Sequence, residues 1–294
     1  MGEERSAQRP DTGGPTVTAR ADGTFLAWVR RLVTIDDALR RTTVTGTVLG
    51  MVLYSNWLLE FAVNVTLPDP DAFISELAAA DQPYSAWFRG LDLAAAGCLA
   101  AAAAAGIARS TGALAKLGWW MLAAFAAATV LDSSIWSLVC APHSDALCAA
   151  REAASEVPLG HRLHTLSSIA AIVAAFGSLI PFAVADVVGQ TPGPVRRLGQ
   201  VVLAALSAAT VWTVIAVAID DTGRDADVGL AQRAQLLAVA AWLTYLALRS
   251  ASASLAPLDV VRRLADVGGG QKFDARTTDC SSITGHHRTM PSDR

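Results

Sequence analysis

The chain has 294 residues, of which 53% are hydrophobic and only 17% are charged, and its mean hydropathy is +0.40. A soluble domain of this size rarely has so apolar a composition, so the chain is predicted to be an integral membrane protein. Its net charge of -3 is too small to indicate binding to nucleic acid or to an acidic polymer.

The N-terminal residues 1–24 are rich in Gly, Pro, Thr and charge, and they are predicted to be disordered. Over residues 25–41, apolar side chains recur at helical spacing between arginines, which predicts an amphipathic helix lying on the inner leaflet. The alternative interpretation of this pattern is a cytoplasmic extension of the first membrane span.

Six apolar stretches follow, and each approaches or exceeds the roughly 20 residues that a helix needs to cross a bilayer. They are Thr43–Val65, Trp87–Ala108, Leu117–Val139, Leu163–Val187, Leu198–Ile219 and Ala231–Leu248. The second is the richest in small residues, which predicts close packing against neighbouring helices in lipid. The fold class is therefore predicted to be all-α: a polytopic bundle of six transmembrane helices over 43–250, with a mostly disordered tail over 251–294.

Charge in the connections predicts the orientation, because basic residues accumulate on the cytoplasmic side. Arg and Lys dominate the N-terminal segment, the second and fourth connections and the tail, whereas the other three connections are acidic. Both termini of this multi-pass protein of the cell membrane are therefore predicted to be cytoplasmic. Cys140 and Cys148 share an outer loop, where oxidising conditions favour a disulfide. Two cysteines could instead ligate a metal ion, but two ligands do not make a site.

Five ionisable residues lie near the outer ends of the predicted spans. They are Glu60, Asp92, Asp132, His161 and His164. Charge inside a bilayer is costly and often functional, so their shared depth predicts a shared polar cavity that opens outward. Because lipid offers no hydrogen-bond partner, these side chains are expected to contact one another or water.

Three hypotheses follow for this cavity. In the first, His161, His164 and Asp132, with Asp92 as a further carboxylate ligand, bind a divalent metal such as zinc, whose bound water attacks a lipid ester or amide. In the second, Glu60, Asp132 and His164 carry out acid–base catalysis without a metal, since apolar surroundings tune a carboxyl group for proton transfer. In the third, the ionisable groups only pair and fix the register of the helices, for example Asp92 with Arg89 or Arg233, or Asp132 with His164.

A series of short motifs resembles a known family. The motifs are Ile74-Ser75-Glu76-Leu77-Ala78, Pro83, Phe88-Arg89-Gly90-Leu91-Asp92, Asp132, Cys140-Ala141-Pro142, Asp145, Cys148, His161, His164, Gly229 and Gln232-Arg233. In order and spacing, this set resembles an uncharacterised prokaryotic family of six-helix membrane proteins, domain of unknown function 998 (DUF998), from about Thr43 to Leu248. The resemblance implies six helices, cytoplasmic termini and an outer side that bears the motifs, but no activity. A looser likeness, through Ile74-Ser75-Glu76 and the helix count, points to eukaryotic membrane proteins related to Frag1 and Sfk1.

The leading functional hypothesis is that the cavity binds or handles a membrane lipid or a small amphipathic molecule at the outer leaflet. Ser75, Asp92 and Arg233 are the residues expected to contribute to ligand binding. The alternative is a membrane-embedded hydrolase or acid–base enzyme that uses the catalytic residues named above. A divalent metal such as zinc is the candidate cofactor, and no nucleic-acid partner is expected.

Overall fold

A computed structural model describes residues 23–62, 72–189, 191–224 and 226–252, and the regular secondary structure of these residues is helical. The α-helices are α1 Gly23–Tyr54, α2 Leu59–Ala62, α3 Ser85–Arg109, α4 Ala113–Ser133, α5 Ala146–Ala153, α6 Leu159–Val188, α7 Gly193–Asp220 and α8 Val228–Ser252. Two 3-10 helices, Asn56–Leu58 and Ile74–Ala78, precede α2 and α3. The segments predicted to be disordered, 1–24 and 251–294, lie almost wholly outside the described residues.

The first apolar stretch departs from the prediction. The expected span over Thr43–Val65 is not one helix, because α1 ends within it and the chain turns at Ser55. The Ser55 hydroxyl donates to a carbonyl of the preceding turn at 2.8 Å, and Asn56 Nδ2 donates to another at 2.8 Å. Such local bonds compete with the helical hydrogen-bond ladder and favour a break. Upstream, α1 is one continuous helix through residues 25–41. This is the arrangement expected if the segment is an extension of the first predicted span.

In the described part of the chain, five helices are long and apolar enough to cross a membrane. They are α3, α4, α6, α7 and α8. Helix α1 is not among them, because even its last 18 residues, 37–54, include Asp37, Arg40 and Arg41. The chain is therefore an all-α, multi-pass membrane protein, and the count of six spans stays a prediction.

The six long helices form a closed ring in which each contacts the next: α1, α3, α4, α6, α7, α8 and α1 again. Two glycines bring α1 close to α3. A Cβ on Gly46 would lie 2.7 Å from the Cys98 carbonyl oxygen, and one on Gly50 would lie 2.5 Å from the Leu99 side chain. Small residues permit this close approach in lipid, so α1 packs as a full member of the bundle despite its charged half.

Aromatic side chains fill the centre of the ring. The Phe125 ring packs edge to face against the rings of Tyr54 and Trp242, and both centroid distances are 5.2 Å. The outer surface instead exposes large aliphatic side chains, such as Val173 at 63% and Val201 at 64%. An extended apolar surface of this kind is typical of contact with a membrane.

The α1–α3, α4–α6 and α7–α8 connections meet at one end of the bundle, which we call the disulfide end. Cys140 and Cys148 are joined there, with their Cα atoms 6.0 Å apart. The Ala80 amide donates to the Leu138 carbonyl at 3.0 Å, which joins the first of these connections to the second. The structure thus contains the disulfide that the sequence predicts. It lies in the α4–α6 connection, which is hydrogen-bonded to the α1–α3 connection.

The opposite end holds a buried polar cluster that sequence analysis does not identify. Asp186 is 1% exposed and accepts hydrogen bonds from Tyr245 at 2.6 Å, Arg249 at 2.8 Å and Thr191 at 2.9 Å. The Arg249 guanidinium also lies 4.5 Å from the centre of the Phe182 ring. Both carboxylate oxygens of Asp186 are occupied, so this cluster joins α6 to α8 and has a structural role.

Candidate functional site

A cavity of about 120 Å³ lies at the disulfide end, between α3, α4, α6 and α8 and next to the 3-10 helix Ile74–Ala78. A water molecule needs roughly 10–15 Å³, so the cavity has room for several waters or for a small ligand group. Its polar wall includes Asn56, Ser75, Asp92, Asp132, His164, Ser168, Gln232 and Gln235. Its apolar wall includes Tyr54, Trp57, Phe88 and Leu236.

The cavity separates the site residues predicted from the sequence into two groups. Those that line it are Ser75, Asp92, Asp132 and His164. Those that do not are Glu60, His161 and Arg233. The predicted convergence is therefore partial, and the second group has partners of its own outside the cavity.

Asp92 lies in the first half of α3 and faces the turn that follows α1. Asn56 Nδ2 donates to Asp92 Oδ1 at 2.6 Å. Within the described residues, no basic side chain pairs with Asp92. The break in the first predicted span thus has a consequence for the site, because it places the Asn56 amide on the cavity wall.

Asp132, at the end of α4, pairs with His164 in the second turn of α6. His164 Nδ1 lies 3.0 Å from Asp132 Oδ1 and 3.2 Å from the Trp136 carbonyl oxygen. The hydroxyls of Ser167 and Ser168 also donate to Asp132 Oδ1. Both neighbours of Nδ1 are acceptors, so this nitrogen carries the proton. In the neutral ring Nε2 is then the acceptor, which is the tautomer that a general base requires.

Glu60, predicted to be catalytic, forms a buried ion pair instead. Arg233 Nε and Nη2 donate to its two carboxylate oxygens, each at 3.0 Å, and Glu60 is 2% exposed. A bidentate pair of this kind holds two elements in one relative position, here α2 and α8. Both oxygens of Glu60 are occupied, so the geometry assigns this pair a structural role beside the cavity.

His161 is directed towards the disulfide loop rather than the cavity. Its Nδ1 accepts from the Val139 amide at 3.2 Å, and its Nε2 lies 3.5 Å from Glu152 Oε1. The expected zinc ligands His161, His164 and Asp132 are therefore not brought together, because two residues at i and i+3 can contact different neighbours. In the described part of the chain, no group of three His, Cys, Asp or Glu side chains is placed to hold a metal ion.

The 3-10 helix Ile74–Ala78 is anchored from two sides. The Gln232 side-chain oxygen accepts from the first backbone amide of this helix. Glu76 is fully buried, and its Oε1 lies 2.6 Å from His143 Nδ1. On the other side of the imidazole ring, His143 Nε2 lies 3.4 Å from Asp220 Oδ2. His143 therefore joins the α1–α3 and α4–α6 connections to the last residue of α7.

Sequence analysis does not identify His143 and assigns Gln232 only to a family motif. Glu76 and Asp220 are 67 and 77 positions from His143, and no local spacing indicates that they meet. The sequence does weakly indicate the position of Gln232 and Gln235, because two amides at i and i+3 on an apolar helix predict one polar face.

The contacts of His143 predict a pH dependence of stability. Its hydrogen bond to Glu76 raises the pKa of His143 to about 9, with help from Asp220 and against the effect of partial burial. A histidine whose pKa is higher in the folded state stabilises that state fully below the unfolded pKa, near 6.5, and loses this effect as the pH rises through the folded pKa. We therefore expect the difference in melting temperature between wild type and His143→Gln to shrink from about pH 6 to about pH 10. Thermal unfolding in detergent micelles measures it, and an equal difference at both pH values would contradict the contact.

Comparison with known proteins identifies a family. The sequence model of the family described as Protein of unknown function (DUF998) matches residues 46–249, which is more than half of the chain. The chain therefore belongs to the DUF998 family, and the resemblance seen in the sequence motifs is confirmed. No curated protein and no solved structure matches the chain. The looser likeness to Frag1 and Sfk1 stays a prediction.

Proposed function

We propose that this member of the DUF998 family binds a lipid or another small amphipathic molecule in the cavity at the disulfide end. The observation that carries the proposal is the mixed wall of the cavity. Asp92 and His164 lie on the same wall as Trp57, Phe88 and Leu236. Ligand sites are typically concave and mostly apolar, with a few polar groups that fix the orientation of the ligand. An amphipathic molecule has the same division into polar and apolar parts.

In the same proposal, the disulfide end faces the outside of the cell and α1 is the sixth membrane helix. Basic residues in the connections concentrate at the opposite end, which is typical of the cytoplasmic side. A disulfide persists where conditions are oxidising, which supports the same orientation. The contacts of α1 with α3 and α8 support its place in the membrane.

Photo-crosslinking tests this binding site. We expect a dodecyl glucoside with a diazirine beside its headgroup to label cavity residues of the purified protein in nanodiscs. Leu236→Trp fills the cavity and should abolish that label. Leu237→Trp is the matched control, because Leu237 is 56% exposed on the other face of α8. Labels confined to the lipid-facing surface in all three proteins would overturn the proposal.

The Asp132–His164 pair favours a second function, which is hydrolysis of the bound molecule. In this mechanism His164 Nε2 takes a proton from water as the water oxygen attacks an ester carbonyl, and the proton then passes to the departing alcohol. Asp132 would stabilise the imidazolium through its 3.0 Å contact with Nδ1.

A panel of fluorogenic lipid esters tests this second function. We expect His164→Gln to abolish turnover while the diazirine label in the cavity persists. His161→Gln is the matched control, because it lies one turn away on α6 but outside the cavity wall. Equal turnover by wild type and His164→Gln would exclude His164 as the base, and a wild type without turnover would exclude hydrolysis of these esters.

A further inference from the structure

We infer that the cavity selects amphiphiles with a cationic headgroup, of the ammonium class, over those with an anionic headgroup. This inference rests on the proposed ligand-binding function and names the chemical class of the ligand. Three observations carry it: the charges on the cavity wall, the partners of the neighbouring arginines, and the aromatic rings on the same wall.

Carboxylates dominate the charge of the cavity wall. Among the described residues that line it are Asp92 and Asp132, whereas His164 is the one group able to become positive and no Arg or Lys is present. His164 lies 3.0 Å from Asp132, so its protonation would neutralise that carboxylate alone. Asp92 receives only the neutral amide of Asn56 from the described residues. The described wall therefore holds two carboxyl groups and at most one positive charge, so Asp92 is left for a cationic ligand, whose charge would favour the ionised form of this carboxyl group.

The neighbouring arginines are directed to other acceptors. Arg233 donates to both carboxylate oxygens of Glu60 at 3.0 Å. Arg89 donates to the backbone carbonyls of Ser133 and Ser134 at 2.8 and 3.3 Å. Neither guanidinium lines the cavity. A carboxylate inside a membrane protein is costly without a positively charged partner. A cationic ligand bound beside Asp92 would supply the charge that the two arginines do not.

Aromatic rings complete the recognition of a cation. Tyr54, Trp57 and Phe88 line the same cavity as the two carboxylates. The faces of aromatic rings are negative and attract ammonium groups, with the largest effect in desolvated sites. A phosphate or carboxylate headgroup would instead be repelled by the ionised carboxylates. A hydroxyl headgroup would accept or donate hydrogen bonds but would leave the charge of Asp92 unchanged.

A headgroup series tests the inference. Dodecyl trimethylammonium, dodecyl glucoside and dodecyl phosphate, present at low concentration in nanodiscs, compete with the diazirine-labelled glucoside. We expect the ammonium compound to compete at least about tenfold better than the phosphate. In Asp92→Asn that advantage, expressed relative to competition by the glucoside in the same variant, should fall by about tenfold. The matched control is Asp221→Asn, an equal loss of charge at an exposed position beyond α7.

The outcomes separate this inference from the function on which it rests. Equal competition by the three headgroups, or an Asp92→Asn variant with unchanged preference, would overturn the selection of a cation and leave amphiphile binding intact. Failure of the diazirine-labelled glucoside to label the cavity of the wild type would overturn the binding function itself. Asp92→Glu keeps the charge and should keep the ammonium preference, which distinguishes loss of charge from loss of fold. A parallel loss in Asp221→Asn would assign the preference to general surface charge and would also overturn the inference.

Discussion

Replacement of Glu60 by Ala is expected to lower the free energy of unfolding by about 3–5 kcal/mol. The variant leaves the Arg233 guanidinium without the two carboxylate oxygens that it now contacts at 3.0 Å. The side chains of Glu60 and Arg233 are 3% and 17% exposed, so water cannot readily replace the lost partner. An SDS unfolding titration in mixed micelles, followed by circular dichroism, measures the change.

Glu60→Gln tests the contribution of the Glu60 charge, because it replaces the carboxylate by an amide of the same size. Glu60→Gln should cost nearly as much as Glu60→Ala, and the double variant with Arg233→Gln should cost less than the sum of the single variants, because the two residues are coupled. The comparison variant is Asp36→Ala at the opposite end, where Arg109 has one 2.9 Å contact with a carboxylate that is 20% exposed, against 3% for Glu60, so the loss should be smaller than for Glu60→Ala. Additive losses for Glu60 and Arg233 that do not exceed the loss in Asp36→Ala would show that their pair does not stabilise the bundle.

Gly106→Ala is expected to destabilise the bundle by about 1–3 kcal/mol although it adds a single methyl group. A Cβ at this position would lie 2.3 Å from Cδ2 of the Trp119 indole ring. Trp119 cannot move away freely, because it is 4% exposed and packs against the Phe182 ring with a centroid distance of 5.0 Å. The loss should appear as a lower melting temperature in detergent.

Helix α3 contains its own control for this prediction. A Cβ on Gly97 would meet no atom within 4 Å, so Gly97→Ala should be neutral or should stabilise α3 by up to about 1 kcal/mol. The two variants make the same chemical change nine positions apart on one helix. Equal melting temperatures for Gly97→Ala and Gly106→Ala would mean that the contact between α3 and α4 is looser than the structure has it.

Two glycines of α3 show which packing contacts the sequence predicts and which it does not. The concentration of small residues in this stretch predicts close packing, and Gly106 does lie against Trp119 of α4. The same pattern does not distinguish Gly106 from Gly97, since each ends a run of small residues in the same apolar stretch. Only the orientation of α3 in the ring decides that one glycine meets a neighbouring helix and the other meets open space.

For the ionisable residues of the candidate site, the sequence likewise predicts the position along each helix but not the contacts. Their position near one end of the helices follows from the sequence, because depth depends only on the number of residues from the helix end. Their partners do not follow from it. Glu60 meets Arg233 across 173 positions, and Asp92 meets Asn56 across 36 positions. The metal hypothesis depended on His161 and His164 pointing the same way, and the neighbours of His161 direct it to the loop instead.

The amino-acid sequence by itself determined that this is an all-helical membrane protein of the DUF998 family, with five ionisable residues near the ends of its apolar stretches and a cysteine pair suited to a disulfide. Those properties depend on local composition and on the length of apolar runs, which the bilayer constrains directly. Tertiary structure alone decided that the first stretch breaks at Ser55, that of the pairs considered from the sequence Asp132 does meet His164, and that Asp92 remains on a cavity wall without a basic partner among the described residues. Such pairings arise when packed helices bring distant side chains together, and helical periodicity places a residue on a face without determining what lies opposite.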